Sequence, residues 1–233
     1  MGYINHGVNQ VMLDSITIEN FEGYFYCHSY FGSYHLTCDR FSYKFEHGIT
    51  ILYGDIDCGG WGVSCGISQK QKDIVLSSEE IIAEMNDTPC DLEKIYTHAW
   101  YMDQSFGRKT VEKLVNQGLK KTNSNISAEN IREIFQISSD RFQLPIQQVG
   151  NERFRCVAAI GYAFSKSIYC FPWISKKMVE YYGKNLIDVL EILEKLKQIV
   201  ILPTNYQFKK YEKTTYDFEK EWEKYIQTEL RKL

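Results

Sequence analysis

No stretch of this chain reaches the run of about 18 apolar residues that a membrane-spanning helix needs, so no transmembrane segment is expected. The opening MGYINHGVNQ has no apolar core, which argues against a secretory leader. Its Met-Gly start places His6 where an N-myristoylation signal wants Ser or Thr, so lipidation is not expected either. Positive charge is short: 27 Lys and Arg stand against 30 Asp and Glu, a net charge of −3. That excludes nucleic acid as a partner drawn by bulk charge. The seven cysteines, at 27, 38, 58, 65, 90, 156 and 170, contain no C-x-x-C pair. An odd number without a framework implies reduced, mostly buried thiols in a cytoplasmic protein. Cys27, His28, His35 and Cys38 offer metal-ligand chemistry. On a strand, however, Cys27 and His28 point to opposite faces, and no metal is assigned. Low-complexity linkers and internal repeats are also missing, so residues 1–233 read as a single domain.

What the chain does have is apolar and aromatic mass. Apolar residues make up 44% and aromatics 15%, led by 17 Tyr, which suffices for a sizeable core. SITIENFEGYFYC reads as a strand, and LTCDRFSYKFEHGITILYGD as two more broken at EHG. SSEEIIAEMNDTP sets serines and acids ahead of apolar residues and predicts a capped helix. KIYTHAWYMDQSF reads as strand-like. Thr110 to Phe142 predicts helix, with Ser127 as an N-cap candidate three residues before Asn130. NERFRCVAAIGYAFSK is a helix, SIYCFPWI a short buried strand, SKKMVEYYGKNLIDVLEILEKLKQ helical and IVILPTN a strand. Residues 215–232 predict a solvated terminal helix with Glu/Lys pairing along its face. Alternation of strand and helix after residue 48 predicts an α/β fold with a mostly parallel, helix-covered sheet. An antiparallel β portion precedes it, and a helical subdomain, residues 105–165, is inserted into it.

The stretch GDIDCGGWGVS, Gly54 to Ser64, follows the apolar strand GITILY. A strand, a glycine-rich turn and a helix start are the layout of a phosphate-binding loop, written G-x-x-x-x-G-K-[ST]. Gly54 and Gly59 take the two glycine positions, with Asp55 and Asp57 between them. Gly60 stands at the lysine position and Trp61 at the Ser/Thr position.

Further along, QVGNERFRCVAAIGYAF resembles the signature motif and basic helix of the ATP-binding (nucleotide-binding) domain of ABC transporters, LSGGERQRVALARAL. Gly150 matches the first signature glycine, and Glu152, Arg153 and Arg155 match residues after it. Val149 replaces the serine and Asn151 the second glycine. IYCF then corresponds to the Walker B strand, with Pro172 at the Asp position and Trp173 at the Glu position. IVILPTN ends in Thr204-Asn205, so Asn205 stands at the switch histidine. Gln104 fits the Q-loop glutamine. The intervals from Gly60 to Gln104 and to Gly150 are similar to the family's. The resemblance covers roughly residues 15 to 210 and rests on the order and spacing of five altered motifs. It implies the phosphate-loop NTPase fold of ABC ATPases.

The resemblance also implies what the altered positions remove. In the family the lysine reaches the β- and γ-phosphates and the Ser/Thr holds Mg²⁺. Gly60 supplies no charge and Trp61 no oxygen. Pro172 cannot support magnesium and lacks a backbone donor. Trp173 cannot accept the proton of an attacking water, and Asn205 offers at most a hydrogen bond. Loss of a single group of this kind costs on the order of 10²–10³ in rate. The expectation is a pseudo-ATPase with no catalytic residue and no cofactor. Backbone N–H groups from Gly59 to Gly62 would still form an anion nest, opposed by the carboxylates of Asp55 and Asp57. Tyr30, Phe31 and Tyr34 fall near the family's aromatic adenine contact; the alternative is that they are surface or core aromatics.

Other residues carry paired readings. Trp61 is either an interface anchor or, with Trp173, an apolar plug of the vacated pocket. Gln104 is either a coupling residue or a solvated turn glutamine. Arg153 and Arg155 are either surface charges or a partner contact at a helix start, where cations are disfavoured. Cys58 reads as a buried thiol rather than a reactive one, and nothing in the spacing recommends a Cys58–His98 hydrolase.

Three functions follow from the resemblance. The first is a non-hydrolysing structural or regulatory subunit, partnered by an intact ABC ATPase, a membrane permease or a second copy, and peripheral at the inner membrane face through the permease. The second is a protein- or peptide-binding module outside transport, such as one serving peptide maturation or immunity. The third is a weak ATP binder or ATPase using substitute residues, with Asp55 or Asp57 as metal ligand.

Overall fold

The computed structural model describes residues 13–29, 32–56, 59–70 and 81–220, the stretch 22–40 by its backbone alone. The first two strands, β1 (Ser15–Ser29) and β2 (Gly32–Glu46), form a long antiparallel hairpin. β3 (Gly48–Tyr53) leads into α1 (Gly60–Ile67). β4 (Ile82–Met85) and β5 (Thr88–Pro89) follow, then α2 (Leu92–His98) and β6 (Ala99–Tyr101). The helical region holds α3 (Val111–Lys121), α4 (Ala128–Ile134) and α5 (Ser139–Phe142). Two 3-10 turns, Ile146–Gln148 and Gly150–Glu152, lead into α6 (Arg153–Ala163). β7 (Ile168–Cys170), α7 (Lys176–Tyr182), α8 (Lys184–Lys195) and β8 (Ile199–Thr204) come next. A 3-10 segment, Lys209–Thr214, and β9 (Thr215–Asp217) close the described chain.

Two sheets result. One is antiparallel, in the order β2-β1-β4-β5; the other runs β6-β7-β8-β3-β9, with every pairing parallel. The parallel sheet is covered on both faces, and its strands alternate between two cores. Ile199 and Ile201 of β8 join the core that holds Phe21, Phe45 and α1. Val200 and Leu202 join the core under α3, α6 and α8. Each fully buried aliphatic side chain contributes roughly 1.5–3 kcal/mol. Close helix contacts depend on small residues. A Cβ on Gly66 would lie 2.2 Å from the Phe21 ring, and one on Gly161 2.6 Å from Trp100. The α4 start has the expected cap: Ser127 Oγ accepts from Asn130 N–H at 3.1 Å and Asn130 Oδ1 accepts from Ser127 N–H at 3.2 Å.

Four predicted elements differ. The helix expected over SSEEIIAEMNDTP is, in its described part, the β4–β5 hairpin. Ala83 and Met85 are buried while Ile82 is exposed, so a two-residue period packs this stretch against Ile16–Glu19 of β1. Asn86 and Asp87, at φ 51° and 57°, make the turn. KIYTHAWYMDQSF begins as helix, because α2 buries Ile95 and only three residues pair with β7. Thr215–Asp217, expected in the terminal helix, is strand. It pairs with Ile51–Tyr53, and the Tyr216 ring meets Phe41 and Tyr43 edge-on at 5.2 and 5.7 Å. Helix begins at Phe218, where Asp217 Oδ1 accepts from Lys220 N–H. The long helical stretch before β8 is also broken, at Gly183 (φ 49°), into α7 and α8.

Candidate functional site

The carboxyl ends of parallel strands are where α/β folds place their ligands. Here the ends of β3, β7 and β8 carry Gly54, Pro172–Trp173 and Thr204–Asn205, the first of which lies more than a hundred residues from the other two in sequence. Hydrogen bonds join them. Gly54 N–H donates to the Thr204 carbonyl at 3.0 Å. The Trp173 indole N–H donates to the Gly54 carbonyl at 3.2 Å. Thr204 is fully buried; its hydroxyl donates to the Ile174 carbonyl and accepts from Tyr206 N–H. Asn205 bridges outward: its Oδ1 accepts from Lys176 N–H at 3.0 Å, at the start of α7, and its Nδ2 donates to Asp55 Oδ1 at 3.4 Å. Among these strand ends Pro172 is half-buried and contributes no N–H.

The glycine-rich turn is tied to the sheet at its far side. Gly59 adopts φ 100°, which glycine tolerates without strain, and its carbonyl accepts from Val63 N–H at 3.0 Å to start α1. A Cβ on Gly60 would lie 3.0 Å from Leu52 Cβ and 3.3 Å from the Leu52 carbonyl oxygen. The first turn of α1 therefore approaches β3 too closely for an unaccommodated side chain at this position. Trp61 is half-buried, packs on the core beneath the sheet and donates to Tyr101 Oη at 3.3 Å. Burial pushes the Tyr101 hydroxyl far up from its ordinary pKa, so it stays protonated. The two indoles thus go to different partners: Trp61 to β6, Trp173 to the turn. Ser64, fully buried on α1, donates to the Phe171 carbonyl at the end of β7. Sequence reasoning named Thr204 only as the neighbour of Asn205 in the switch motif, and it did not single out Ser64.

The second group of predicted residues lies on the helical region. Gln104 is half-buried and its carbonyl accepts from Arg153 at 3.2 Å; Arg153 also pairs with Asp103 at 2.7 Å. Val149 is fully buried, whereas Gly150 (φ 59°) and Asn151 are exposed. Glu152 accepts from Ser138 N–H and Oγ at 3.0 and 2.8 Å, anchoring the start of α5. Arg155 is buried, ion-paired with Asp188 of α8, and donates to the Gln136 carbonyl at 3.0 Å. Both arginines read as surface charges or partner contacts are thus engaged inside the chain. His98 is half-buried with its Nδ1 3.2 Å from Ser167 Oγ. Asp57, Cys58, Tyr30 and Phe31 lie outside the described residues, as do the side chains of Tyr34, Cys27, His28, His35 and Cys38. Among the described residues no three His, Cys, Asp or Glu side chains are grouped to hold a metal, and no helix is long and apolar enough to cross a membrane.

A parallel sheet whose β3 runs through a glycine-rich turn into α1, beside an antiparallel sheet and an inserted helical region, defines a phosphate-loop-like α/β protein. Its fold is that of the ATP-binding cassettes of ABC transporters. An ATP-binding protein of Pyrococcus furiosus assigned to an ABC transporter superposes with a TM-score of 0.61 at 16% identity, covering 88% of this chain and 98% of its own. A bacterial ABC transporter cassette solved as a dimer gives 0.57 at 11% identity, covering 87% and 94%. The cbiO1 protein of Clostridium perfringens, part of the ABC transporter complex cbiONQ, gives 0.53 at 12% identity, covering 82% and 78%. No family model matches the sequence, and no curated protein matches it. At these identities the likeness defines the fold and nothing finer.

Proposed function

We propose that this chain is a non-hydrolysing member of the cassette fold, acting as a structural or regulatory subunit beside an intact ABC ATPase, a membrane permease or a second copy of itself. The observation that carries this reading is the hydrogen bond from Trp173 to the Gly54 carbonyl. The residue at the position of the catalytic carboxylate is spent on holding the turn, and it can neither bind magnesium nor take a proton. The other altered positions agree with it. Gly60 offers no ammonium, Trp61 no metal ligand, and Asn205 is committed to Lys176 and Asp55. Phosphoryl transfer is positioning and charge stabilisation, and these residues supply neither. The solved relatives include a cassette described as dimeric and one described as part of a transporter complex, which supports a protein partner for this chain.

The test is phosphate release and calorimetry with Mg-ATP on the purified chain. The reading expects no release above a heat-killed control and no saturable heat. Hydrolysis that a Gly54 substitution abolishes would overturn it. Co-purification from the native cell then separates the partners, with an intact ABC ATPase or permease supporting the subunit role.

A further inference from the structure

We draw no further inference here: the strongest candidate, the aromatic surface patch on α7 where Tyr181, 71% exposed, meets the Tyr182 ring edge-on at 5.1 Å, carries nothing because no feature of the structure shows what covers it.

Discussion

The Trp173 indole N–H reaches 3.2 Å to the Gly54 carbonyl, linking the third residue past β7 to the turn after β3 across 119 positions of sequence. A hydrogen bond of this kind is worth about 0.5–1.5 kcal/mol net. Trp173→Phe keeps most of the ring and removes the donor. It should lower unfolding stability by that amount and speed exchange of the Gly54 amide, which itself donates to Thr204. Urea denaturation with amide exchange checks this. An unchanged midpoint and unchanged exchange would mean the contact does not hold the turn.

Placing a lysine at position 60 should not confer ATP hydrolysis. Gly60→Lys places a Cβ 3.0 Å from Leu52 Cβ and 3.3 Å from the Leu52 carbonyl oxygen, between a helix and a central strand. Overpacking of this kind costs about 1–3 kcal/mol. The variant should melt lower than the parent and release no phosphate from Mg-ATP, because Trp61, Pro172 and Trp173 remain. A Gly60→Lys protein that is both as stable and hydrolytic would show that Trp61, Pro172 and Trp173 do not block hydrolysis.

Much of the architecture was legible because it repeats. β3 and β8 are near-continuous apolar runs, as strands covered on both faces must be, and α6 is a long small-and-apolar stretch. Motif order also placed Gly54, Trp173 and Asn205 at strand ends, and the structure brings them to one end of the sheet. What escaped depends on contacts distant in sequence. The β4–β5 hairpin has a helix-like run of acids in front of it, and only pairing with Ile16–Glu19 decides for strand. Thr215–Asp217 becomes a strand because β3 has a free edge beside it. Thr204 and Ser64 carry ordinary strand and helix sequence, so nothing local marks the hydroxyls that bind Ile174 and Phe171. Asp188 sits in an amphipathic helix like any solvent acid until Arg155 is seen to meet it.

That ion pair yields the next prediction. The side chains of Arg155 and Asp188 are 10% and 12% exposed, and the pair ties α6 to α8. Asp188→Asn leaves a buried guanidinium without its counter-charge and should cost about 3–5 kcal/mol. Lys184 also pairs with Asp188, at 2.6 Å, but its side chain is 82% exposed; Lys184→Met should cost no more than about 1 kcal/mol. The double variant Arg155→Met/Asp188→Leu should recover most of the loss, since two apolar groups avoid the desolvation penalty. Chemical denaturation of the three proteins decides it. Equal effects from the Asp188 and Lys184 substitutions would sink the account.

His98 gives the chain a pH dependence with a definite sign. Its ring is half-buried at the end of α2, with Ser167 Oγ 3.2 Å from Nδ1. Burial holds its pKa below the ordinary 6.5, and the nearby charges of Lys166 and Lys94 push the same way. In the unfolded chain the imidazole therefore takes up a proton at higher pH than in the folded one. Between the folded-state pKa and about 6.5 the unfolded state binds more protons, so stability rises with pH through that window. Below it the penalty of a charged, half-buried ring is fully present, and above it the contribution is flat. His98→Gln removes the titrating group while keeping polar atoms for Ser167. Unfolding free energies measured from about pH 5 to about pH 8 should rise more steeply for the parent than for the variant, with the difference closing above neutrality. Parallel profiles, or a parent that gains stability on acidification through this window, would show that His98 is not held neutral by its surroundings.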